Sequence, residues 1–255
     1  MAGYSRAELM AVAAAHELKD GQVVVVGLGL PQVAAVLAQM THAPRLTIVL
    51  EIGVVNPHPI HPSVGIADPR IWYRATCFTS GFIGTLGFIL HRGLVDVGFL
   101  GGLEVDQYGN VNTTAVPLPG GGIRHFTGSG GANDIASLAR STLIVMRHEK
   151  RKFPARVSYL TSPGYLTGGN AREEAGLKGG GPVKVITDLG VLGFDPVSRR
   201  MQVVALHPGV TWQEVQENTG FPLGEPRPVP STVEPSAEEL RLLREVVDPA
   251  GTYIR

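Results

Sequence analysis

The sequence predicts an α/β fold built on a mainly parallel sheet, and three observations carry that prediction. Short β-branched runs recur along the chain, glycine turns follow them, and segments of helical periodicity separate them. The first run, Gln22-Val-Val-Val-Val26, is apolar at every strand position but its first, as suits a strand covered on both faces. Gly27-Leu-Gly-Leu-Pro31 turns the chain into a helical segment, Gln32 to Met40, and Leu46 to Leu50 repeats the strand signal. Strand, glycine turn, helix and strand make a βαβ unit.

The other elements follow in order. Ser5 and Glu8 have the spacing of a capping box ahead of Leu9, Met10 and Val12, which starts a helix that Gly21 is expected to close. Beyond the βαβ unit come a helix near Ile83 to Arg92, a strand at Val95 to Leu100, a helix near Asp134 to Ala139 and a strand at Thr142 to Met146. Further strands are expected at Val183 to Asp188, Gly190 to Phe194 and Gln202 to Leu206. Thr211 to Glu214 opens a helix that Gly220 is expected to stop. A proline-rich linker, Pro222 to Pro230, leads to a capped helix from Ser236 to Val247. Two stretches interrupt the alternation, Asn56 to Pro69 and Thr161 to Pro182; connectors of that length are usually functional or mobile.

Bulk properties narrow the function classes. Hydrophobic residues make up 44% of the 255, enough for a sizeable core. Twenty-two basic residues balance twenty-two acidic ones, so no electrostatic drive toward nucleic acid or an anionic membrane is expected, although Arg147 to Lys152 forms a local basic patch. A single cysteine, Cys77, excludes an internal disulfide, fits a reducing compartment and reads as a small buried hydrophobe. The N-terminal segment lacks the apolar run of a signal peptide, and no stretch has transmembrane length; a cytoplasmic location without a membrane partner is expected.

Ligands of parallel α/β sheets gather beyond the carboxyl ends of the strands, and three features fall there. Glu51 ends its strand in Leu50-Glu-Ile-Gly53, where a carboxylate can act as a nucleophile or simply as a cap, and Gly53 would let a substrate approach the backbone. Thr127-Gly-Ser-Gly-Gly-Ala-Asn-Asp134 runs into a helix. Gly128, Gly130 and Gly131 could aim N–H groups at an anion, with Asp134 capping the helix or orienting the loop; a plain tight turn fits equally. The third is Asp96 to Asn112, in which Gly101 and Gly102 permit close approach, Glu104 and Asp106 project near a strand end, and Gly109-Asn110 forms a turn. Gly27 and Gly29 lack the third glycine of a dinucleotide fingerprint, since Gln32 stands there. His58 and His61 lie among prolines without an acidic third ligand, so no metal site is expected.

Taken in order, these motifs resemble the β-type chain of family I coenzyme A-transferases, especially the glutaconate CoA-transferase branch. The resemblance rests on Gly27 to Pro31, Leu50 to Gly53, Val95 to Asn112 and Gly128 to Asp134. It continues through His207-Pro-Gly-Val-Thr211, Thr219-Gly-Phe221 and the Leu240 to Tyr253 ending, so it covers nearly the whole chain. It implies one β-type domain over residues 1–255, with a C-terminal linker and helix at about 222–255, in the open α/β/α sandwich shared with sugar-phosphate isomerases. It further implies ping-pong CoA transfer through a glutamyl-CoA thioester on Glu51. Coenzyme A would be a substrate rather than a bound cofactor, and an α-type subunit would complete a heterodimer or heterotetramer acting on acyl-CoA and carboxylic acids. Gly27, Gly29, Gly53, Gly101, Gly102, Gly128, Gly130, Gly131 and Asp134 are then the expected oxyanion and CoA-binding positions.

One departure stands out. Glu104 occupies a position where the family commonly has glutamine, and an ionised carboxylate cannot donate a hydrogen bond. A protonated Glu104 could donate, or Glu51 and Glu104 could work as acid and base. The second arrangement suits a branch of the family that hydrolyses cyclic enoyl-CoA rings in steroid breakdown. A sugar-phosphate isomerase would need cations beside the Gly128 loop, where Arg124 is the nearest. A non-catalytic regulatory subunit would make Glu51 merely structural.

Overall fold

The computed structural model describes residues 3–57, 65 and 68–254. The chain forms two compact units, Met1–Phe99 with Val233–Arg255, and Leu100–Thr232.

The first unit begins with α1 (Arg6–Ala15), started by the expected capping box: the Glu8 N–H donates to Ser5 Oγ, and the Ser5 N–H donates to Glu8 Oε2 at 2.7 Å. The helix ends at Ala15, six residues before the predicted stop. Gly21, at φ 81°, belongs instead to the turn entering β1 (Val23–Val26). Then come α2 (Leu30–Met40), β2 (Thr47–Leu50), β3 (Val54–Val55), β4 (Cys77–Phe78) and β5 (Val97–Leu100). β1 lies parallel to both β2 and β5, while β3 and β4 add on antiparallel beyond β2. Val24, Val25 and Val26 are fully buried, as their all-apolar run required. The segment predicted as a helix near Ile83 to Arg92 forms a wide π-type helix over Ile83–Leu90. Cys77 is exposed, not buried, because β4 is the edge strand of this sheet and both of its residues face out.

The second unit holds two small antiparallel pairs, β6 (Glu104–Val105) with β7 (Val111–Asn112) and β8 (Ala115–Pro117) with β9 (Ile123–His125). After α3 (Ala132–Leu138) come β10 (Ser141–Val145), α4 (Ala171–Glu174), β11 (Pro182–Ile186), β12 (Gly190–Phe194), β13 (Met201–Leu206) and α5 (Trp212–Glu217). β10 and β11 are parallel, and β11, β12 and β13 form an antiparallel meander. Gly220 does not cap α5. Its N–H donates to the Phe153 carbonyl at 2.8 Å, and a Cβ there would meet that oxygen at 2.6 Å. The long 161–182 stretch is tied down from within. Arg172, 4% exposed, donates to the carbonyls of Ala136, Pro163, Gly164 and Gly179, and burial pulls its guanidinium below its ordinary pKa. The chain then rejoins the first unit with α6 (Ala237–Leu242), opened by the Ser236–Glu239 capping box. No helix among the described residues is long and apolar enough to cross a membrane.

Candidate active site

Parallel pairing of β1 and β2 brings the ends of both strands to one level, Val26 beside Leu50. The chain leaves β2 in a tight turn in which the Gly53 N–H donates to the Leu50 carbonyl at 2.8 Å, and Glu51 sits at the second position of that turn. Asn56, at φ 48°, closes the hairpin: its side-chain oxygen accepts from the Ile48 N–H, and its own N–H donates to the Ile48 carbonyl. Gly53 is explained by packing as well as by conformation. Its φ is 99°, and a Cβ would lie 2.6 Å from Thr79 Oγ1, so Thr79 and Gly81 fill the space a substrate was expected to use.

Glu51 and Gly27 face a common cavity of about 140 Å³, whose other walls are Val26, Leu28, Leu50, Ile52 and Ile71. Among the described residues that line it, Glu51 is the one carboxylate and the other side chains are apolar. Gly27 has open space where a Cβ would project, and Gly29, at φ 99°, caps α2 with the Tyr253 ring 3.8 Å from that position.

Glu104 has a different environment. It is 8% exposed, and both carboxylate oxygens accept hydrogen bonds: Oε1 from the Ser158 hydroxyl, Oε2 from the Ser158 N–H and the Asn112 amide, each at 2.8 Å. An ionised Glu104 accepts from all three donors, and a protonated one could instead donate to the Ser158 hydroxyl oxygen. Gly102 is glycine for close packing, since a Cβ would meet Val111 at 2.6 Å, whereas a Cβ on Gly101 would meet only the Val145 carbonyl at 3.8 Å. Asp106 is buried and braces the next turn, accepting from the N–H groups of Tyr108 and Asn110; burial raises its carboxyl, and those bonds oppose the rise.

In the Gly128 loop, Gly128 (φ 81°) and Gly130 (φ 48°) take left-handed conformations, and Gly131 sits at the cap of α3. Asp134 lies inside the first turn of the helix and does not cap it. The residue that ties the loop down is Asn133, whose amide donates to the Thr161 carbonyl at 2.7 Å and whose N–H donates to Ser129 Oγ. Ser158, Asn112 and Asn133 were not singled out from sequence, because their partners lie up to 54 residues away. His58 and His61 lie outside the described residues.

The coenzyme A transferase family profile matches residues 7–218. Over 260 aligned residues the chain is 38% identical to a glutaconate CoA-transferase subunit of Acidaminococcus fermentans, covering 99% of this chain and 96% of that one. It is 39% identical to a 3-oxoadipate CoA-transferase subunit of Pseudomonas knackmussii, covering 96% and 94%. The cholesterol ring-cleaving hydrolase IpdB subunit of Mycobacterium tuberculosis is 29% identical over 96% of this chain and 95% of its own length. The crystal structure of glutaconate coenzyme A-transferase from Acidaminococcus fermentans superposes with a TM-score of 0.91 at 36% identity, covering 99% of this chain and 98% of that one. The mixed α/β fold with its mostly parallel sheet is therefore the one expected from the sequence, and the chain belongs to the coenzyme A transferase family.

Proposed function

We propose that this chain is the β-type subunit of a CoA-transferase, and that Glu51 carries CoA as a glutamyl thioester between an acyl-CoA donor and a carboxylic acid acceptor. One observation carries the reading: among the described residues that line it, Glu51 brings a carboxylate into an otherwise apolar slot at the end of β2. Its carboxylate attacks the thioester carbonyl, and CoA leaves as thiolate, giving a mixed anhydride. The thiolate then attacks the glutamyl carbonyl, which releases the donor's acid and leaves CoA on Glu51. An acceptor carboxylate reverses the sequence. Every step exchanges one acyl bond for another, with no net redox change.

Residues 1–255 would act as one β-type domain, its linker and helix at about 222–255 included, together with an α-type subunit. A cytoplasmic location suits the exposed thiol of Cys77, which a reducing compartment would preserve. Identity of 38–39% to transferase subunits against 29% to the ring-cleaving hydrolase favours transfer.

The test uses the chain co-expressed with its α-type partner, incubated with acyl-CoA and treated with borohydride. A reduced Glu51 in the isolated peptide is expected, and Glu51→Gln should lose both the adduct and more than about a thousandfold of the turnover. Release of free CoA with no adduct would point to the hydrolase. Full activity in Glu51→Gln would make Glu51 structural.

A further inference from the structure

The β8–β9 hairpin carries one face that no core packing explains. Val116 and Arg124 are direct cross-strand partners. Residues two apart share a face of a pleated strand, so Leu118 and Phe126 continue it. All four line a cavity of about 640 Å³ within the second unit. Arg124 is exposed, with its guanidinium carbon 5.0 Å from the Phe126 ring centre, and no carboxylate pairs with it among the described residues. An arginine laid on an aromatic face is already oriented, and its planar donors match carboxylate and phosphate oxygens.

The same cavity is lined by Arg151 and Lys152 from the basic patch noted in the sequence. Both lean on the same carboxylate, Glu149, at 2.7 Å each. Glu104 also borders this cavity, yet its oxygens are taken by Ser158 and Asn112 rather than by any of the three cations. With Glu149 and Glu104 both counted as negative, positive charge is still in excess, and a cleft of one sign concentrates ligands of the other.

We propose that this cleft is an anion subsite in which Arg124 pairs with a free anionic group of the thioester substrate. The ligand class rests on the CoA-transfer reading. Two sources share the chemistry: the remote carboxylate of a dicarboxylic acyl chain, and the phosphates of coenzyme A. Arg124→Ala, and Arg124→Lys as the charge-retaining control, would be made in the chain assembled with its partner. Calorimetric titration with glutarate and with adenosine 3′,5′-bisphosphate should show binding of one of them weakened about tenfold or more by Arg124→Ala and largely retained by Arg124→Lys.

Steady-state kinetics then identifies the source. A carboxylate subsite raises KM for glutaryl-CoA and glutaryl-pantetheine but not for pentanoyl-CoA. A phosphate subsite raises KM for both CoA thioesters and leaves glutaryl-pantetheine unchanged. Equal binding of both anions by wild type and Arg124→Ala, or binding of neither by wild type, overturns the proposal. So does a uniform fall in kcat with unchanged KM for all three thioesters. If wild type turns over no thioester while anion binding still depends on Arg124, the CoA-transfer reading fails and the subsite stands.

Discussion

His148 stacks on Phe153 with ring centres 4.0 Å apart, and its two nitrogens meet the hydroxyls of Thr187 and Thr219 at 3.2 and 3.0 Å. Burial pushes its pKa from 6.5 to about 4, against the pull of Asp188, so the folded ring is neutral. Between those values the unfolded chain binds a proton that the folded one refuses. Stability therefore falls as pH drops from 6.5 toward 4, by about 1.4 kcal/mol per unit at most. Urea unfolding of wild type and His148→Gln across that window should show this extra slope in wild type alone; parallel curves would refute the buried neutral ring. At the candidate site, Glu51 was legible because a strand end followed by a glycine turn is written in consecutive residues. Glu104 was legible as a position but not as a role, since Ser158 and Asn112 reach it from other parts of the chain.

Among elements, α1 shows how a local signal becomes a tertiary one. The Ser5 capping box fixes the Glu8 carboxylate, and the Arg244 guanidinium then donates to it at 2.6 Å, tying the segment after α6 to the start of α1. Burial alone would raise the Glu8 carboxyl, but the bonds from Arg244 and Ser5 outweigh it and hold it below the ordinary 4.5. A depressed carboxyl stabilises the fold above the unfolded-state value, and that contribution disappears as pH falls below 4.5 through the lowered one. Arg244→Met is expected to lower the melting temperature by a few degrees at pH 7, with the gap to wild type closing as the pH falls below 4.5. A gap that persists in acid would mean that Arg244 acts by packing. The box was readable because its partners are three residues apart; Arg244 was not. The same contrast holds across the fold. β1, β2 and β10 to β13 announce themselves by apolar runs, whereas β3, β4, β8 and β9 span two or three residues each, too short for any period to register. α1 was expected to run five residues further, to Asp20, because Gly21 was taken as its stop, whereas the helix ends at Ala15 and Leu18, 1% exposed, packs from the turn that follows.

Across the molecule, the first unit leaves a group of large apolar side chains exposed. Trp72 and Phe78 touch with ring centres 5.8 Å apart and are both exposed, as are Phe82, Ile83 and Phe88 on and beside the π-type helix; Phe78 is 61% exposed, Ile83 69% and Phe88 63%. Arg74 is the only charge between Ile71 and Leu90. Patches of this kind mark protein–protein contacts. The hairpin carrying Glu51 is joined to the same segment, because the Thr79 N–H donates to the Gly53 carbonyl at 2.8 Å. We assign this face to the α-type subunit, the partner implied by relatives that are themselves single subunits of CoA-transferases. Aromatic anchors commonly dominate such interfaces. Phe82→Glu combined with Phe88→Glu should therefore weaken association with the α-type chain by about a hundredfold or more, while the isolated variant stays folded and becomes more soluble than wild type. The side chains project into solvent, so the substitutions disturb no core. Co-purification from a tagged α-type chain, with circular dichroism of the variant alone, separates the outcomes. An unchanged yield of complex would move the partner to another surface, and a misfolded variant would show that these side chains serve the unit itself.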